Sequence, residues 1–164
     1  MGKNLIKVAL FGLGRIGLMH AENLINNKNF IIKYVYDENS ILTKKISKKI
    51  NCIGIDDPKI AFGDIEINCI YISTSTPSHL KFIYEAVKKN KSIFCEKPLD
   101  INLKKVLSYE KKIKNFDNKI QLGFNRRYDK KLKRLRSELT KGKIGKLEKI
   151  IITSRDPSPA SSKY

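Results

Sequence analysis

The sequence predicts an α/β protein built on a doubly wound parallel sheet. Apolar runs of strand length alternate with stretches of helical spacing along the chain. The runs are continuous rather than alternating in polarity, as expected of strands covered on both faces. Six of them, separated by helical stretches, match the strand order 3-2-1-4-5-6.

Residues 5–11 form the first run, and Gly12 ends it. Residues 15–26 have helical spacing that lets Ile16, Met19, Leu24 and Ile25 share a face. A second run, 31–36, stops at Asp37. Residues 40–50 read as a Lys-rich amphipathic helix with Ile41, Leu42, Ile46 and Ile50 inward. A short third strand is expected over 52–55. One helical turn follows over 57–62, with Pro58 suited to its first position. Residues 67–72 are a strong fourth strand, and 73–78 a polar turn. Residues 79–89 place Leu80, Ile83 and Val87 on one helical face. The fifth strand, 92–95, leads into Glu96-Lys97-Pro98. A helix over 101–113 and a sixth strand over 119–124 complete the alternation. Beyond them come a very basic helix, 129–139, a turn between Gly142 and Gly145, and the start of a further strand over 147–153. The tail, 156–164, is rich in Pro and Ser.

The chain has 164 residues, enough for one ordinary domain with a core and too few for two. No apolar run approaches the ~20 residues of a membrane span. Lys3 and the apolar stretch after it superficially resemble a signal peptide. Gly12, Gly14 and Arg15 break that pattern, so a cytoplasmic location is expected. The net charge of +18 raises nucleic-acid binding, with residues 126–149 as its natural seat. The basic residues are mostly Lys, spread over exposed-looking helix positions beside abundant Ile and Asn. An AT-rich coding sequence gives that composition, and no nucleic-acid partner is expected. Cys52, Cys69 and Cys95 each sit in an apolar run without metal-ligand spacing. They read as buried reduced thiols, and no metal is expected.

Gly12-Leu13-Gly14-Arg15-Ile16-Gly17 is a G-x-G-x-x-G that follows a strand and opens a helix. Asp37 ends the second strand about twenty residues later. That is the context a Rossmann dinucleotide site requires. Gly12 permits the turn, Gly14 lets a pyrophosphate approach the backbone, and Gly17 lets the helix pack on the sheet. The backbone N–H groups around Arg15 and Ile16 and the helix dipole then face the phosphates. Asp37 accepts hydrogen bonds from the adenosine ribose and repels a 2′-phosphate, which favours NAD over NADP.

Ser73, Thr74, Ser75 and Thr76 follow strand four, Glu96 and Lys97 follow strand five, and Asn125, Arg126 and Arg127 follow strand six. In a parallel sheet these carboxyl ends share one edge, where ligands bind. A Lys beside a bound nicotinamide, partly out of water, can relay a proton from a substrate hydroxyl. The residues alone leave Lys97 open between that role and an ordinary surface lysine. The Lys97-Pro98 bond is a candidate cis peptide. His79 reads as a partly exposed residue near a helix start, close enough to the crevice for a packing or cofactor contact. His20 reads as structural.

These residues resemble the glucose–fructose oxidoreductase / inositol dehydrogenase (Gfo/Idh/MocA) family, and look most like its inositol 2-dehydrogenases. The matching pieces are residues 11–17, 75–79, 95–99, 123–129, 144–146 and 153–157, in the family's order. Glu-Lys-Pro and Gly-Phe-Asn-Arg-Arg-Tyr-Asp are specific to it; the glycine loop is not. The resemblance implies hydride transfer between NAD and the secondary alcohol of a polyol or sugar, with Lys97 catalytic. It implies that Glu96 and Ser73–Thr76 contact the cofactor. It places Asn125, Arg127 and Asp156 near the substrate or the inter-domain cleft. Family members are about twice as long and form homo-oligomers. Their second domain supplies most of the substrate pocket and an Asp/His pair that works with the Lys. Residues 1–125 then correspond to the Rossmann domain, and 126–164 to a connecting helix and the first strand of a truncated second domain. The expected behaviour is NAD binding with poor or no polyol turnover. The competing expectation is a non-catalytic NAD-binding or redox-sensing module.

Overall fold

A computed structural model describes residues 5–114 and 120–155. The chain divides into two compact units, Met1–Phe124 and Asn125–Tyr164.

In the first unit, β1 (Ile6–Phe11), β2 (Phe30–Tyr36), β3 (Ile53–Gly54), β4 (Cys69–Ile72), β5 (Ser92–Cys95) and β6 (Ile120–Leu122) form one sheet in the order β3-β2-β1-β4-β5-β6. Every pairing is parallel, and the order is the expected one. The helices are α1 (Arg15–Ile25), α2 (Ser40–Ile50), α3 (Lys59–Gly63), α4 (Thr76–Lys88) and α5 (Leu103–Ile113). Apolar β1 is covered on both sides, so alternate residues feed two cores. Phe11 centres one, edge-on to Tyr36, Phe62 and Phe82 at 5.3–5.4 Å. Leu10 joins Leu13, Ala21, Val35 and Ile46 in the other.

Several helix faces differ from expectation. The buried stripe of α1 is Gly17, His20, Ala21 and Leu24, while Ile16, Met19 and Ile25 face outward. Gly17 fixes the helix's rotation by packing on the glycine loop, and residues three, four and seven further on then face the sheet. In α2, Ile46 is buried and Leu42 and Ile50 partly so, but Ile41 is exposed. The stripe of Leu80, Ile83 and Val87 on α4 is buried as expected. That helix starts at Thr76, three residues early, because Ser75 takes the cap position and Pro77 is tolerated in the first turn. Only Cys95 of the three cysteines is buried; Cys52 and Cys69 are half-buried, and Cys52 lies outside β3. All three thiols are free, and burial pushes Cys52 and Cys69 up to about 11 and Cys95 to about 12.

Not every Lys coats the surface. Lys91 is buried, with its ammonium donating to the carbonyls of Asp64 (2.6 Å) and Ile67 (2.8 Å). Nearby, Lys33 donates to Asp64 and Glu66 at 2.5 Å each, and Tyr34 donates to Asp64 at 2.9 Å. The Lys33 ammonium, with the Glu66 backbone N–H, holds the Asp64 carboxyl down at about 2. Its folded value lies below its unfolded one, so its stabilisation is complete above pH ~4 and is lost as pH falls toward 2. Urea midpoints are expected to fall between pH 5 and pH 2.5, and to fall less in Asp64→Asn; equal slopes in the two proteins would contradict the assignment.

The second unit holds a 3-10 turn (Asn125–Tyr128) and α6 (Lys130–Thr140). Asp129 caps α6 by accepting from the N–H groups of Lys131 and Leu132. The expected strand over 147–153 does not form: those residues are in neither helix nor strand, and Leu147, Ile150, Ile151 and Ile152 are exposed. A strand exists by pairing, and none of the described residues pairs with this segment. No described helix is long and apolar enough to cross a membrane.

Candidate dinucleotide site

The carboxyl edge of the sheet is aligned by the last rung between each pair of strands. Gly12 N–H donates to Tyr36 O, Ser73 N–H to Phe11 O, Glu96 N–H to Ile72 O and Gly123 N–H to Cys95 O, each at 2.8 Å. The loops carrying Gly12, Asp37, Ser73, Glu96 and Gly123 therefore leave the sheet at one level. The strand order reverses between β1 and β4, which opens the crevice there.

The glycine loop is built for close backbone approach. Gly12 has φ +88°, and a Cβ there would lie 2.5 Å from the Ser73 backbone. A Cβ on Gly17 would lie 1.9 Å from Gly12 O. Ser73 Oγ ties these segments together by donating to the carbonyls of Phe11 and Gly12 at 3.0 Å each. Gly14, by contrast, faces open space: a Cβ there would meet nothing within 4 Å. Gly14 caps α1, whose first turn, starting at Arg15 and Ile16, carries no acidic side chain. The first N–H groups of a helix have no partner within it, so the head of α1 offers donors and a positive dipole end to an anion.

Asp37 closes the other side of the loop. Its Oδ2 accepts from Leu13 N–H at 2.8 Å and its Oδ1 from Asn39 N–H at 2.9 Å. A carboxylate has about four acceptor positions, which leaves capacity for a vicinal diol. Gly12, Gly14, Gly17 and Asp37 thus fit a dinucleotide: an open backbone face for the diphosphate and a fixed carboxylate for the ribose.

Across the switch point, Thr74 Oγ1 and Ser78 Oγ are 2.6 Å apart, Ser78 Oγ donates to Ser75 O, and Thr76 opens α4. His79 corrects the expectation of a partly exposed residue. It is buried, because the early start of α4 carries it inside the helix. Its ring nitrogens lie 2.8 Å from Pro98 O and 3.0 Å from Thr74 O, so it joins the β4 and β5 loops. The Lys97-Pro98 peptide is cis. Lys97 is exposed and Glu96 half-buried.

His20, structural by its place inside α1, faces this loop. Its Nε2 is 2.8 Å from Glu96 Oε1. The signal for it was its place three residues after Gly17, on the face that packs closest to the sheet. Asn125 and Arg127 lie in the second unit, exposed in its 3-10 turn. Asp156 lies outside the described residues. The same unit has a basic groove of about 620 Å³ lined by Arg126, Arg127, Lys133, Arg136 and Lys141, among others. Among the described residues, no cluster of metal-ligating side chains occurs.

Comparison with known proteins matches this geometry. The model of an oxidoreductase family with an NAD-binding Rossmann fold, Gfo/Idh/MocA, matches residues 6–124. Myo-inositol 2-dehydrogenase of Thermotoga maritima is 33% identical over 97% of this chain and 48% of its own length. The crystal structure of a myo-inositol dehydrogenase from Corynebacterium glutamicum superposes with a TM-score of 0.90 at 32% identity, covering 98% of this chain and 48% of that one. A scyllo-inositol dehydrogenase from Lactobacillus casei, solved with NAD(H) and scyllo-inositol, has a TM-score of 0.80 at 26% identity, over 86% and 42%. The chain spans about half the length of the relatives it matches. With its glycine loop and fixed Asp37 on one sheet edge, the chain belongs to the Gfo/Idh/MocA oxidoreductase family and carries that family's NAD-binding Rossmann domain.

Proposed function

We propose that this chain is the cofactor half of an NAD-dependent dehydrogenase acting on a secondary alcohol of an inositol-like polyol. The observation that carries the reading is the alignment of the glycine loop, Asp37, Ser73 and Glu96-Lys97 on one sheet edge. The relatives named as inositol dehydrogenases supply the substrate class.

When bound, NAD supplies the hydride acceptor. The chain's own residues hold it and handle the proton. The head of α1, through the N–H groups around Arg15 and Ile16, binds the diphosphate. Asp37 holds the adenosine ribose, and its charge opposes a 2′-phosphate. Ser73, Thr74, Ser75 and Thr76 border the nicotinamide half, with His79 bracing their turn against Pro98. Lys97, exposed just after β5 on the same sheet edge, would accept the hydroxyl proton of the alcohol through its neutral amine. The exposure of Lys97 means that the water exclusion expected for this step depends on bound ligand. Asn125, Arg127 and Asp156 are assigned to the polyol on the strength of the family resemblance.

Absorbance at 340 nm, with NAD and either myo- or scyllo-inositol, tests the reading. The 164-residue chain is expected to bind NAD and to form NADH slowly or not at all. Lys97→Ala is expected to remove any inositol-dependent rate, by a factor on the order of 100 or more, while changing NAD affinity little. Robust turnover that survives Lys97→Ala would overturn the assignment of the base. Turnover with simple alcohols but no polyol would overturn the substrate class.

A further inference from the structure

Glu96 is more constrained than an ordinary loop carboxylate. Its Oε1 accepts from His20 Nε2 at 2.8 Å, and its Oε2 accepts from the backbone N–H of Lys97 at 3.2 Å. A carboxylate offers no proton, so His20 is the donor and carries its hydrogen on Nε2. The carboxylate sits over Gly123, where a Cβ would come within 2.9 Å of Oε1. His20 is held in turn by Tyr71 and Phe94, stacked on each other at 4.1 Å, with ring centroids 5.1 and 5.2 Å from the imidazole. The Glu96 side chain is 18% exposed and that of His20 10%. A buried histidine among aromatic rings, paired with a half-buried carboxylate, needs a reason, because an apolar pair would pack there without desolvation cost.

The sheet topology supplies one. Asp37 marks the adenosine side at the end of β2, and the head of α1 marks the diphosphate. A dinucleotide crossing the switch point then lays its other half over the ends of β4 and β5. Glu96 is the anionic side chain at the end of β5. The nicotinamide ring is cationic when oxidised and neutral when reduced. A fixed carboxylate largely removed from water distinguishes those two states by its field.

We propose that Glu96 biases the site toward oxidised over reduced cofactor, and that His20 is a positioning residue that holds the Glu96 carboxylate in place for this. The proposal rests on the dinucleotide reading of the crevice. It adds no covalent step: Glu96 and His20 act on the charge of the bound ring, and Lys97 remains the group that handles the proton.

The ratio of dissociation constants for NAD and NADH tests it, measured on the 164-residue chain by calorimetry for NAD and by the cofactor's own fluorescence for NADH. Glu96→Gln keeps the shape of the side chain and removes its charge. It is expected to weaken NAD about tenfold relative to NADH, with NADH changed by no more than about twofold. His20→Leu is expected to shift the ratio in the same direction. His20→Gln, whose amide nitrogen reaches the place of Nε2, is expected to restore it. An unchanged ratio in Glu96→Gln, or equal loss of both nucleotides, overturns the proposal. If Glu96→Gln does not fold, the same ratios in His20→Leu and His20→Gln decide. A wild-type chain that binds neither nucleotide overturns the dinucleotide reading itself, which is a distinct outcome.

Discussion

Replacing Gly17 by alanine is expected to unfold the head of the first helix and remove NAD binding. The new Cβ would sit 1.9 Å from the carbonyl oxygen of Gly12 and 2.8 Å from its carbon. Both are backbone atoms, so no side chain can turn aside. The strain must move α1 off the sheet or open the loop, and either movement disturbs Ser73, which bonds to Gly12 O. Overpacking in cores costs about 1–3 kcal/mol where neighbours can yield. Here the neighbour is a turn already at φ +88°, so the loss is expected at the top of that range or above. Urea denaturation followed by circular dichroism measures it. Gly63→Ala is the control. A Cβ there meets nothing within 4 Å, and the residue lies in α3. That change is expected to be neutral or stabilising. Equal losses in the two variants would mean that the glycine loop is not the constraint.

Replacing Asp37 by alanine is expected to weaken NAD by about 10- to 100-fold, the ~1.5–3 kcal/mol of a hydrogen bond to a charged group. Two effects act together. The carboxylate is lost as an acceptor for the ribose, and Leu13 and Asn39 lose the oxygens that fix the loop. NADP should respond in the opposite sense relative to NAD, because the charge opposing a 2′-phosphate is gone. Asp37→Asn should fall between, since its amide keeps one acceptor oxygen. Parallel titrations with NAD and NADP separate the contributions: a general loosening of the loop weakens both nucleotides equally, and loss of a ribose-specific charge does not.

The parts of this account that were legible in the sequence are those governed by local rules. Continuous apolar strands, the glycine spacing and an acid at the end of the second strand are each set by a few adjacent residues. Together they predicted the sheet order and placed Gly12, Gly17 and Asp37. Helix rotation was less legible. Ile16, Met19 and Ile25 satisfy a 3.6-residue period as well as the observed stripe does. What decides is the contact of Gly17 with Gly12, and that depends on three-dimensional packing. His79 shows the same limit. Its burial follows from a helix that starts at Thr76, and both its hydrogen-bond partners are carbonyls of loops after different strands. The partnership of His20 with Glu96 spans 76 residues, so no local pattern announces it. The segment 147–153 has the composition of a strand, but composition cannot supply the neighbouring strand that a ladder needs.

The most direct measurement is an isothermal titration of NAD into the purified 164-residue chain at low salt. Saturable binding of one NAD per chain, weakened by Asp37→Ala, is the expected result. A flat titration for the folded wild-type chain, or binding that Asp37→Ala leaves untouched, would contradict it.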